Sequence, residues 1–217
     1  DAQYQQTPPV GLAYSAVPQQ SPSNTGNGPA LNALANLLLI LTLDCSKGYN
    51  RLGWKWIRSC LKASKLPPLL VALIVLFLPG TVHLMLNGES EGLPLQSGLA
   101  QGDPLSCFLF ILGVDPLLSK LQSLPAVAGV TGFVDDWNAL LRGLPALVAC
   151  RDVLKVFEKA SGQRINVEKS GIVPSRSLSA DEVNTIQAIW QGIQIFYHTR
   201  VLGLQIGIHA DLDSQYA

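Results

Sequence analysis

The sequence predicts an α+β fold, a mixed and largely antiparallel sheet with helices packed on one face. Three observations carry this. Two apolar, strand-like runs, LLLILTL at 37–43 and VAGVTGFV at 127–134, each lead into aspartate: Asp44 after the first, the pair Asp135-Asp136 after the second. Between and beyond them lie segments of helical periodicity, in the order strand, helix, helix, strand hairpin, helix, strand. Hydrophobic residues make up 48% of the 217 residues and charged residues only 14%, which is ample core material and little surface charge.

Residues 1–29 are rich in Gln, Pro, Ser, Asn and Gly and read as an extended segment. From residue 30 the pattern turns apolar and runs into Asp44, opening a domain expected to span 30–208, with a short tail at 209–217. Lys47, Arg51, Lys55, Arg58, Lys62 and Lys65 follow at steps of three and four, which predicts one helix, ended by Pro67 and Pro68. Its basic stripe suits either a solvated face or contact with phosphate or anionic lipid. Residues 66–86 lack formal charge and pass a crude length test for a membrane span. The prolines within them favour a buried helix followed by a strand to Asn87-Gly88; membrane contact stays as the alternative. Residues 92–104 read as a Gly-rich loop and 105–121 as an apolar helix entered through Ser97 or Asp103 as cap. A hairpin is expected around Asp135-Asp136, then a helix over about 147–160 ended by Ser161-Gly162. Strands near 164–173 and 201–208 flank an acid-capped helix over about 179–190.

Zero net charge, with 15 basic and 15 acidic residues, counts against strong autonomous nucleic-acid binding, which draws on a basic excess. Cys45, Cys60, Cys107 and Cys150 show no CxxC pairing, and His83, His198 and His209 no metal-ligand spacing. Buried reduced thiols in an intracellular protein are expected, and no signal peptide is visible. Two adjacent carboxylates in an apolar setting repel each other and call for a cation. If the two apolar runs are neighbouring strands, Asp44, Asp135 and Asp136 converge as hard oxygen ligands for a divalent metal.

The pieces then match a family in order. LDCSKGYNRL at 43–52, GLAQGDPLSCFLF at 98–110, FVDD at 133–136, SGQRINVEKS at 161–170 and VLGLQI at 201–206 together resemble the palm of a reverse transcriptase, most closely that of the non-LTR (LINE-type) retrotransposons. The resemblance implies RNA-directed DNA polymerase activity on an RNA template, a DNA primer and dNTP. It also implies two Mg²⁺ ions (Mn²⁺ as a substitute) on Asp44 and Asp135, with Asp136 assisting and the Cys45 carbonyl as a further ligand. It assigns Tyr49 to exclusion of the ribose 2′-hydroxyl and Gln101-Gly102 to the nucleotide and template. Lys169 would neutralise or protonate departing pyrophosphate, and Leu202 and Gly203 would grip the primer. The chain departs from the family's usual pattern at Asn50 (usually Asp) and Cys107 (usually Pro). Residues 13–27 only faintly resemble a finger segment, and little follows Ile208, so fingers and thumb are expected to be largely absent from these residues. The alternative function is a domesticated or decayed copy kept as an interaction subunit.

Overall fold

The structure, a computed structural model, describes residues 37–78, 80–201 and 204–208. Its centre is a five-stranded sheet built from β1 (Leu38–Asp44), β4 (Val127–Phe133), β5 (Asp136–Arg142), β6 (Gly171–Pro174) and β7 (Gln194–Ile195). The strand order is β4-β5-β1-β6-β7, antiparallel throughout except for the parallel β6–β7 pair. This is the mixed sheet the sequence predicts. Two separate hairpins complete the strands: β2 (Thr81–Leu86) with β3 (Glu89–Pro94), and β8 (His198–Val201) with β9 (Leu204–Gly207).

Side chains alternate across a strand, so register decides which face each residue joins. Leu39, Leu41 and Leu43 stand opposite Leu141, Ala139 and Trp137, and all six are buried. On that face pack α4 (Pro104–Gln122) and α5 (Gly143–Ser161), with α2 (Trp54–Ala63) lying across them. Phe157 meets both Trp56 and Trp137 edge-on, at 5.8 and 6.0 Å between ring centres. Burying each such side chain is worth about 1.5–3 kcal/mol. The opposite face carries Asp44 against Asp136, Thr42 against Asn138 and Ile40 against Leu140, and among the described residues no helix of this layer covers it.

Local chemistry explains where elements stop. Asp103, not Ser97, caps α4, its side chain accepting from the Leu105 N–H at 2.9 Å. Gly162 ends α5 in the left-handed conformation, φ 79°. Ser179 and Glu182 form a reciprocal capping box on α6 (Ala180–Ile189), the expected acid-capped helix.

Several expectations are corrected. The basic helix is two helices, α1 (Gly48–Arg51) and α2, because Leu52 is extended and Gly53 N–H donates to the Ser161 carbonyl instead of continuing the turn. The helix in the uncharged stretch, α3 (Pro68–Phe77), is buried on one face only: Ile74 is in the core, with Val71 and Val75 packed against it, while Leu69 and Leu76 are 73% and 72% exposed. Its 10 residues span about 15 Å, half of a bilayer core. The strand expected after it is there, as β2, but it pairs with β3, so residues 92–94 of the expected loop are strand. Helix α5 starts at Gly143, a turn earlier than its periodicity suggests, directly after β5. Of residues 164–173, only Ile165 bridges to Cys45 before β6 begins at Gly171, since Asn166–Ser170 forms a turn. The strand over 201–208 is a hairpin. Three cysteines are buried, but Cys107 is exposed. Leu202 and Gly203 lie outside the described residues, as do residues 1–36.

Candidate active site

Asp44 closes β1 and Asp136 opens β5, and the two are facing partners in the register. Facing residues in an antiparallel pair hold their Cβ atoms about 4.5–5.5 Å apart, so two carboxylates project together from the uncovered face. Asp135 sits with Val134 in the two-residue turn of the β4–β5 hairpin, where Phe133 pairs with Asp136. Val134 takes φ 53°, an uncommon conformation for a β-branched residue. Its carbonyl accepts from the Trp137 indole N–H at 2.8 Å, and that buried ring holds the turn to the core. Asp135 therefore turns towards α1: its Cβ lies 3.6 Å from where a side chain on Gly48 would begin.

The loop after Asp44 is laced to residues 161–170. The Asp44 N–H donates to Ser170 Oγ at 3.0 Å and the Asp44 carbonyl accepts from Asn166 N–H at 2.9 Å. Ser46 N–H donates to the Arg164 carbonyl, and Gln163 Nε2 donates to the Gly48 carbonyl at 2.6 Å. These bonds fix both the carboxylate and the residues that follow it.

The electrostatics are those of crowded anions. Burial, then Asp135, then Asp44 raise the Asp136 carboxyl above its ordinary value. Burial first, and then the same carboxylates, push the Cys45 thiol far up, so it stays a neutral thiol. None of the three aspartates is ion-paired among the described residues. An all-oxygen donor set that no described side chain ion-pairs fits a hard divalent cation. As they stand, however, no three His, Cys, Asp or Glu among the described residues are gathered tightly enough to hold an ion.

A cavity of about 300 Å³ opens beside Asp44 and Asp136, lined also by Lys169, Asn138, Phe196 and Arg200. Lys169 thus shares a chamber with two of the carboxylates. Tyr49, Gln101 and Gly102 meet in a second cavity of about 500 Å³, with Cys107 at its wall. The Tyr49 ring stacks on Phe110, centres 4.7 Å apart and 16° from parallel. Burial, and then the neighbouring Cys107 thiol, raise the Tyr49 hydroxyl above the usual phenol range. Gly102 takes φ 89°, which a side chain would resist. Arg200 and Phe196 were not singled out from sequence: Phe196 follows β7, its N–H donating to the Ile172 carbonyl at 2.9 Å, and Arg200 lies on β8.

A five-stranded sheet helix-covered on one face, with aspartates at facing strand ends on the other, defines the palm of a nucleic-acid polymerase. Residues 13–188 match the family model for "Reverse transcriptase (RNA-dependent DNA polymerase)", and the chain belongs to that family. Over 98 residues it is 31% identical to the "Retrovirus-related Pol polyprotein from type-1 retrotransposable element R2" of Popillia japonica, a non-LTR element. That match covers 42% of this chain and 14% of the relative. The fold is similar to apo telomerase from Candida tropicalis truncated from its C-terminal domain, TM-score 0.57 at 16% identity, covering 81% of this chain and 35% of that one. It is likewise similar to Candida tropicalis telomerase in complex with a TWJ fragment of telomeric RNA, TM-score 0.58 at 14% identity, over 81% and 29% of the two chains. The chain thus spans a minor part of each relative.

Proposed function

We propose that these residues are the palm of an RNA-directed DNA polymerase, joining dNTP to a primer 3′-hydroxyl along an RNA template as one part of a longer polypeptide. The observation that carries the reading is the facing of Asp44 and Asp136 on the open side of the sheet, with Asp135 beside them in the turn. Asp44 and Asp135 would hold Mg²⁺ or Mn²⁺, with Asp136 assisting and the Cys45 carbonyl as a further ligand. Such ions, bound as a pair, stabilise the attacking and leaving oxygens of an in-line phosphoryl displacement.

The protein's own residues do the rest. The Tyr49 ring, braced from behind by Phe110, closes the sugar side of its cavity against a 2′-hydroxyl. Gln101 and Gly102 offer an amide and bare backbone to the nucleotide and template across that cavity. Lys169 brings an ammonium to the carboxylate chamber, placed to neutralise or protonate the leaving pyrophosphate. Leu202 and Gly203, just after β8, would steady the primer. The chain spans a minor part of each relative, so primer extension is assigned to the longer polypeptide and not to these residues alone.

The test is primer extension on an RNA template by the longer polypeptide with dNTP and Mg²⁺. Synthesis abolished by Asp135→Asn supports the reading. Synthesis indifferent to that substitution contradicts it. No synthesis at all favours a decayed copy kept as an interaction subunit.

A further inference from the structure

Helix α1, which carries Tyr49, is too short to hold itself: 4 residues, a left-handed Lys47 at its entry and no side-chain cap. Its carbonyls are satisfied from outside. The Tyr49 carbonyl accepts from Leu99 N–H at 2.8 Å and the Leu52 carbonyl from Gly98 N–H at 3.0 Å, both on the strip leading to Gln101. The Gly48 carbonyl accepts from Gln163 Nε2 at 2.6 Å, on the opposite side. Of these three ties, that from Gln163 alone comes from a side chain.

Gln163 is fully buried, and its Oε1 has no hydrogen-bond partner. Burying an unmatched acceptor is costly. The amide's Nε2 nonetheless grips the Gly48 carbonyl. What it grips is a junction. A side chain on Gly48 would meet the Phe110 ring at 3.2 Å and Asp135 Cβ at 3.6 Å. Phe110 is the plate on which Tyr49 stacks. Moving Gly48 therefore moves Tyr49 relative to Phe110 and to the catalytic turn.

We propose that Gln163 is a positioning residue for sugar discrimination: by holding the Gly48 carbonyl it sets the height of the Tyr49 ring over Phe110. This rests on the polymerase reading above. Gln163 touches no substrate and acts only through α1.

The test uses Gln163→Met, which keeps length and apolar fit but loses the amide, and Gln163→Leu, each certified by a cooperative thermal melt. In the longer polypeptide, the ratio of kcat/KM for dNTP over the matching rNTP is expected to fall about tenfold, mostly through a lower KM for the ribonucleotide, while Mn²⁺ uptake is unchanged. In these 217 residues alone, the rate of Cys107 alkylation is expected to rise at least about threefold as Tyr49, which lines the same cavity, loosens beside the thiol. A ratio within twofold of the parent's, or an unaltered alkylation rate in either folded variant, overturns the proposal. If neither variant folds, Gln163 is a core-stability residue and the proposal is likewise overturned. Lack of any Asp135-dependent synthesis by the parent overturns the polymerase reading itself, a result distinguishable because the alkylation rate is read without synthesis.

Discussion

The Ser170 hydroxyl accepts a hydrogen bond from the backbone N–H of Asp44 at 3.0 Å, joining residues 126 apart in sequence. Ser170 is fully buried, and its own N–H donates to the Asn166 carbonyl at 2.8 Å. A carboxylate at the last residue of a strand would otherwise fray with the strand end. The serine continues the hydrogen bonding of β1 by one residue and holds Asp44 against Asp136.

Ser170→Ala leaves that N–H without a partner. The expected cost is about 1–3 kcal/mol, the penalty for one buried unsatisfied group. Urea unfolding of parent and variant reads it as a shift in midpoint at unchanged slope. A shift indistinguishable from zero would show that the bond contributes nothing to holding the strand end.

Gly162 adopts φ 79°, and a side chain there would begin 2.9 Å from the Arg51 carbonyl oxygen. Gly162→Ala therefore meets both a strained backbone and a backbone atom that cannot swing aside. Loss of at least about 1–2 kcal/mol is expected from the left-handed conformation alone. Chemical denaturation measures it, with Ala160→Gly as a control for altered composition at the same helix end.

How much of this was legible in the sequence depends on the range of the forces involved. The expectation that Asp44, Asp135 and Asp136 share one centre rests on local signals, strand ends and a hairpin turn written in apolar runs and the residues that stop them; the register sets Asp44 opposite Asp136, with Asp135 in the turn. The capping of α6 by Ser179 and Glu182 was local too. The division of the basic helix at Leu52-Gly53 was not, since it depends on Ser161 and Ser97 pairing with Gly53 from far along the chain. The exposure of α3 could not be read from its composition, because apolar content says what should be buried and not what is present to bury it. Nor could the arrival of Phe196 and Arg200 at the carboxylate chamber, which depends on where β7 and the β8–β9 hairpin lie.

The four thiols should separate cleanly by reactivity. Burial pushes Cys60 and Cys150 up to about 12, with Asp115 adding to the shift at Cys60. Cys45 is raised by burial and its carboxylate neighbours. Cys107 is exposed. A disulfide reagent at mildly alkaline pH should therefore titrate one thiol rapidly in the native protein, and Cys107→Ser should remove that phase. More than one rapid thiol would contradict the packing around α2 and α5.

Acid should expose the worth of the Arg176–Glu182 pair. The Arg176 hydrogen bonds, and then the Ser179 N–H, lower the Glu182 carboxyl from 4.5 to about 2. A folded value below the unfolded one means the stabilisation is complete above pH 4.5 and is lost as pH falls from there towards 2. The stability difference between parent and Glu182→Gln should accordingly be constant near neutrality and shrink below pH 4.5. A difference that does not change with pH in that window would assign the effect to packing.

The central claim, that Asp44, Asp135 and Asp136 form one divalent-cation centre, is tested most directly by Mn²⁺ titration of these 217 residues followed by electron paramagnetic resonance. The account predicts saturable Mn²⁺ uptake that Mg²⁺ displaces, and that Asp44→Asn and Asp135→Asn each weaken by about tenfold or more. Uptake that survives both substitutions unchanged, or no saturable uptake in the parent, would contradict it.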